Sequence, residues 1–147
     1  MIETRMQSTS LQVSADQFPG TNNAQIRIYA SDGLRTSQAT SESFTIEEKG
    51  PVVQITLPLD GSSLPPDMPV MLTGSAFDRE DGMLASDTFT WRSNLDGELG
   101  TGDQIFVSLS EGWHTLTLTV RDSDGKTAST SIDVYSGYKL QLPLVSR

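Results

Sequence analysis

The chain of 147 residues has no cysteine. That removes disulfides, thiolate metal sites, cysteine nucleophiles and thiol redox chemistry, and leaves the compartment open. It has one histidine, His114, and no Gly-x-Ser-x-Gly elbow, so a hydrolase triad has no support and the chain reads as non-enzymatic. No run approaches the ~20 apolar residues that cross a bilayer, so no membrane span is expected. No ten-residue segment keeps a helical period. Positive charge is scarce: Lys and Arg total 10 against 19 Asp and Glu, giving −9. With no basic patch interleaved with aromatics, nucleic acid is not an expected partner. The opening Met1-Ile-Glu-Thr-Arg lacks the basic start and apolar stretch of an export signal, which is expected upstream if the parent protein is secreted.

What the chain does have is alternation. In Gly112-Trp-His-Thr-Leu-Thr-Leu-Thr-Val-Arg-Asp-Ser-Asp-Gly125, residues His114, Leu116, Leu118 and Val120 share one parity, and Thr115, Thr117 and Thr119 take the other. Period two with β-branched residues on the polar side marks a strand buried on one face. The Asp/Gly cluster then turns the chain into a second alternating run, Ala128 to Val134, at hairpin distance. Leucines and Trp91 are expected in the core and the threonines in solvent.

A boundary falls at Glu47-Glu-Lys-Gly-Pro51. Before it, strand-like runs are read at Ser10–Ser14 (Leu11 and Val13 on one parity), Ala24–Ser31 (Ala24, Ile26, Ile28 and Ala30 inward) and Ser43–Glu47 (Phe44 and Ile46). A Ser/Thr-rich loop is expected between Asp32-Gly33 and Ser41. After the boundary, strands are read at Val52–Leu57, Val70–Ala76, Thr88–Ser93, Gln104–Leu109, the Gly112 segment and Thr127–Tyr135, with a proline-rich corner at 59–69. Val53, Ile55 and Leu57 share a face, as do Ile105, Val107 and Leu109. Short strands at intervals of about 8–12 residues fit a sandwich. Ile26-Arg-Ile-Tyr-Ala-Ser-Asp-Gly33 and Leu118-Thr-Val-Arg-Asp-Ser-Asp-Gly125 end alike, so the halves look like repeats. Residues 1–49 then read as the last three strands of a preceding, incomplete β module, residues 50–137 as a full sandwich and residues 138–147 as a tail. The tail alternates Tyr138, Leu140 and Leu142 before Pro143, as an edge strand would.

Residues 51–136 resemble the immunoglobulin-like modules of the polycystic-kidney-disease (PKD) class found in tandem in bacterial surface and secreted proteins. The match rests on Pro51-Val-Val-Gln-Ile-Thr-Leu-Pro, on Val70-Met-Leu-Thr-Gly-Ser-Ala-Phe-Asp with Glu80-Asp-Gly82, on Trp91, and on the Gly112–Gly125 segment. Strict members carry an aromatic-Gly-Asp-Gly run after the tryptophan; here the run is Arg92-Ser-Asn-Leu-Asp-Gly97, so the wider immunoglobulin-like group is the better description. The resemblance implies an antiparallel immunoglobulin-like β-sandwich acting as a spacer, adhesive unit or accessory domain, extracellular or at the cell surface.

Charge concentrates in the middle block. Residues 50–137 hold 4 basic and 13 acidic side chains, against 4 and 6 in residues 1–49. In a sandwich of this topology, the loops Asp78-Arg-Glu-Asp-Gly82 and Asp122-Ser-Asp-Gly125 belong to one pole, and the linker with Glu47 and Glu48 enters there. Calcium takes six to eight oxygens in irregular geometry, so Asp78, Glu80, Asp81, Asp122, Asp124, Glu47 and Glu48 form a candidate calcium site, as at cadherin-like junctions. The alternative is ordinary turn chemistry, since Asp caps backbone donors and Gly takes positive φ. His114 faces inward at a position where related modules carry a corner tyrosine, and a buried ring bonded to loop backbone is expected. Trp113 belongs to the outward parity and is a candidate ligand-binding residue for a sugar ring.

The reading is a non-catalytic spacer or adhesion module of a larger protein, stiffened by calcium at the junction. Its alternative is a carbohydrate-binding accessory domain attached to a secreted hydrolase, which requires Trp113 exposed beside polar groups. No cofactor beyond calcium is called for. Neighbouring domains of the same polypeptide, another protein or a polysaccharide are the expected partners. Self-association through residues 1–49 is expected as well, because three strands leave an apolar face uncovered.

Overall fold

The computed structural model describes residues 12–66 and 68–138. The fold is all β, in two compact units, Met1–Lys49 and Gly50–Arg147. The expectations for Leu11, Leu140 and Leu142 fall outside the described residues.

Among the described residues of the first unit, a 3-10 turn at Ala15–Gln17 is capped by Ser14 Oγ, which accepts from the Asp16 amide at 3.3 Å. Four short strands follow: β1 (Thr21–Ala24), β2 (Arg27–Ser31), β3 (Thr36–Thr40) and β4 (Phe44–Ile46). β1 pairs with β4 and β2 with β3, both antiparallel. Three readings need correction. Thr36–Thr40 is a strand and not a loop, because Asp32 Oδ1 accepts from the amides of Leu34 and Arg35 (2.9 and 2.7 Å) and folds a tight turn with Gly33 at φ 93°. That turn delivers the threonines in register with β2. The run from Ala24 to Ser31 is also broken, since Ile26 bonds outside both sheets through Ser41, whose Oγ accepts its amide at 2.9 Å. Residues 12–14, read as part of a strand, are irregular. Val13, Ile26, Ile28 and Phe44 are exposed, and Ala24 and Ile46 half-buried.

The second unit contains β5 (Val52–Leu57), β6 (Ser63–Leu64), β7 (Val70–Asp78), β8 (Gly82–Met83), β9 (Phe89–Ser93), β10 (Gly97–Thr101), β11 (Gln104–Val107), β12 (Gly112–Arg121) and β13 (Thr127–Ser136). One sheet runs β10-β9-β12-β13-β6, and the other β11-β7-β5 with β8 on β7. β12 and β13 pair over ten consecutive residues, from Gly112↔Ser136 to Arg121↔Thr127. The inward parity of both sheets supplies one core: Leu72 and Ala76 from β7, Phe89 and Trp91 from β9, Leu116, Leu118 and Val120 from β12, Val134 from β13, and Leu109. Trp91 is wholly buried and its Nε1 donates to the Gly102 carbonyl at 2.9 Å, which satisfies the one polar atom that the ring takes inside.

The side chains of the edge strands depart from expectation. Ile55, Ile105 and Val107 are half-buried, because β5 and β11 lie at the margins of their sheet. Leu57 is exposed, since the register slips between Ile55 and Leu57. Thr115, Thr117 and Thr119 are half-buried rather than exposed, each leaning on a polar partner across β13. Strand β10, at the sheet margin, follows the Leu95-Asp-Gly97 turn in a stretch with no alternating pattern.

Candidate functional site

At one end of the second unit, β7 closes on Asp78, and Asp122 directly follows the last residue of β12. Both continue the inward parity of their strands and both are buried, Asp78 to 2% exposure. Asp78 Oδ1 accepts from the amides of Glu80 and Asp81 at 2.8 and 3.0 Å, folding the turn that Gly82 completes with φ 79°. Burial pushes its carboxyl upward, but those amides and the Glu80 side chain outweigh burial and hold it below the usual carboxylate value. Its Oδ2 is buried and accepts no hydrogen bond.

Asp81 reaches across to the other loop. Its Oδ2 accepts from the Ser123 amide (2.9 Å) and its Oδ1 from the Ser123 hydroxyl (2.8 Å). Asp122 Oδ1 accepts from the Lys126 amide at 2.7 Å. The two acidic loops therefore meet, and their link is an aspartate on a serine. Asp124 is exposed in its turn. Glu47 and Glu48 lie beyond β4 in the first unit, both exposed, with the Glu48 backbone against Gly20. Among the described residues, no three His, Asp or Glu are grouped to hold a metal ion.

The opposite end carries His114, buried to 1% exposure. Its Nε2 is 2.8 Å from the Ser110 carbonyl, which can only accept, so Nε2 holds the proton of the neutral ring. Nδ1 then accepts from Ser93 Oγ at 2.8 Å. Ser93 Oγ is itself the acceptor for the amides of Leu95 and Asp96, at 3.1 and 3.3 Å. Asp96 gives one oxygen each to the Ser110 hydroxyl (2.6 Å) and amide (3.0 Å), and stands 3.7 Å from Nδ1. The Ser110 hydroxyl is the main reason that its carboxyl lies below the ordinary value; burial opposes this, and the Ser110 amide and, when protonated, the His114 ring assist. Serine, histidine and aspartate meet here with every polar atom of the ring turned to the backbone or to Ser93, which closes a corner.

Trp113, one residue before this corner, points the other way and is 58% exposed. Tyr135 stands opposite it in register, with ring centroids 5.4 Å apart and planes inclined by 53°. Down the same face, Thr115 Oγ1 donates to Asp133 Oδ1 at 2.7 Å, and the hydroxyls of Thr117 and Ser131, then Thr119 and Ser129, pair at 2.9 and 2.8 Å. The partners Tyr135, Asp133 and Ser123 were not singled out in the sequence. Counting outward from the Arg121↔Thr127 pair places Trp113 on Tyr135, so that contact was available from hairpin register; the Ser123 link was not.

Comparisons with protein-family models, curated proteins and solved structures return no match to this chain.

Proposed function

We propose that residues 50–137 form a non-catalytic, immunoglobulin-like module of the PKD type that spaces or presents its neighbours in a larger extracellular or surface protein. One observation carries the reading. β5 starts beside the end of β7 (Val52↔Phe77), at the end where Asp81 holds Ser123, and β13 finishes at Ser136↔Gly112, at the end of the His114 corner. Segments joined ahead of β5 and after β13 thus leave from opposite ends of the sheets. The nine residue steps of β12 separate those ends by about 30 Å. Supporting the non-catalytic part, Ser93 and His114 spend their polar atoms on the corner. The chain has no cysteine, so Gly50→Cys with Tyr138→Cys takes a dye pair at two defined sites. The reading requires a narrow distance distribution near that length; a short or broad one contradicts it.

Calcium belongs to the same proposal. Asp78 and Glu80 are the residues that would hold it, since Asp78 Oδ2 is buried without a hydrogen bond while Asp81 and Asp122 are occupied by Ser123 and Lys126. The ion would supply charge neutralisation, and two protein carboxylates place its affinity in the weak range of about 10⁻⁴–10⁻³ M. Millimolar calcium should then raise the melting temperature over excess chelator; coincident curves remove the ion from the account.

A further inference from the structure

The outer face of the five-stranded sheet changes character along its length. It begins with Trp113 and Tyr135 and continues as a row of hydroxyls: Thr115 with Asp133, Thr117 with Ser131, Thr119 with Ser129. Register sets Arg92 of β9 beside Thr117, and Glu98 of β10 beside Arg92. We propose that this face binds a neutral polysaccharide, lying along β12 and β13 with one sugar ring against Trp113 and further rings over the hydroxyl row. The proposal rests on the preceding one only in taking the module to do no chemistry on what it holds.

Four features select that ligand. A sugar ring has an apolar C–H face and a hydroxyl rim, and a tryptophan followed by hydroxyls offers both surfaces in the same order. Each Thr–Ser pair spends one of its two hydroxyl hydrogens internally, so one donor and several lone pairs stay available. The Thr115–Asp133 pair has spent its only side-chain hydrogen and presents acceptors alone, so the face offers a polyol both donors and acceptors. Trp113 to Thr119 spans six residue steps, about 20 Å, which suits a chain of sugars and not a single one. Charge chooses among glycans: 13 acidic against 4 basic side chains in residues 50–137 repel an anionic polymer. A protein partner fits poorly, since interfaces of normal size bury a larger apolar centre than two rings.

The full chain is run by native electrophoresis through gels containing hydroxyethylcellulose, galactomannan, arabinoxylan or, as the anionic comparison, alginate. Retardation by at least one neutral polymer and none by alginate is expected. Trp113→Ala should weaken it at least tenfold, Trp113→Tyr should keep most of it, and Thr117→Val with Thr119→Val should weaken it severalfold, all with an unchanged circular dichroism spectrum. No retardation by any of the three neutral polymers overturns the proposal. So does a Trp113→Ala protein that is retarded like the parent, or retardation by alginate alone. The end-to-end distance is read independently, so the spacer reading stands or falls separately.

Discussion

Gly74 of β7 faces Leu118 of β12 across the core so closely that a Cβ on Gly74 would overlap the Leu118 Cδ2 methyl. The Trp91 ring and the Gln54 carbonyl, at 3.3 and 3.1 Å from the same point, block the other directions. The two sheets of the second unit are therefore held at a distance set by a missing side chain.

That contact makes the first prediction. Gly74→Ala should cost about 1–3 kcal/mol by overpacking. Leu118→Ala, which opens a cavity beside Trp91, should cost about 2–5 kcal/mol. The double variant should cost less than the sum, because the alanine methyl at 74 enters the space that Leu118 vacates. Urea unfolding of the four proteins measures the coupling. Simple additivity would mean that the sheets do not meet at this pair.

The loop link gives the second. Asp81→Ala removes both acceptors of Ser123, and should cost about 1 kcal/mol, since the bonds are exposed to water. Hydrogen exchange at the Ser123 amide should accelerate while the β12 amides keep their protection. Uniform acceleration would assign Asp81 to global stability instead.

Acid stability follows from two carboxyls. Asp78 and Asp96 both lie below the ordinary aspartate value of 3.8 in the folded protein. A group with a depressed folded pKa binds protons more readily when unfolded, so its stabilisation is complete above 3.8 and is lost as pH falls through the lower folded value. Stability measured by denaturant should therefore drop below pH 3.8, and Asp96→Asn should flatten part of that slope. An identical slope in Asp96→Asn would remove the Ser110 hydrogen bonds as its cause.

The His114 ring makes a structural prediction that NMR reads directly. Nitrogen-15 shifts should report the tautomer protonated at Nε2, with slow exchange of that hydrogen. His114→Phe puts a larger apolar ring in the corner, takes the donor from the Ser110 carbonyl and leaves the Ser93 hydroxyl hydrogen without its acceptor, costing about 1–3 kcal/mol for each hydrogen bond lost out of water. The other tautomer would mean that Ser93 does not donate to the ring.

The legibility of this chain follows from how each element earns its burial. β12, β13, β7 and β9 alternate because one face is core and the other solvent, and Trp91, Leu116, Leu118 and Val120 lie where alternation puts them. Strands β3 and β10 escaped notice because neither has an alternating apolar face: Thr36–Thr40 is exposed throughout, and Gly97–Thr101 sets a single apolar residue, the partly buried Leu99, among glycines and polar residues at an edge. The three threonines were placed on the correct side of β12, but their depth depends on partners 10 to 18 residues away. Turn chemistry was readable at Asp78 and Asp122. What Asp81 does was not, since Ser123 lies 42 residues further on and only the folded unit brings them together.

The central claim is that the second unit is one cooperative body with its connections at opposite ends. Pulling the full chain between cysteines introduced at Gly50 and Tyr138, with β5 and β13 as the strands under tension, tests it most directly. Unfolding should occur in a single event that releases roughly 280 Å of chain, the extended length of this span less its folded length. Stepwise lengthening at low force, or several smaller releases, would contradict the account.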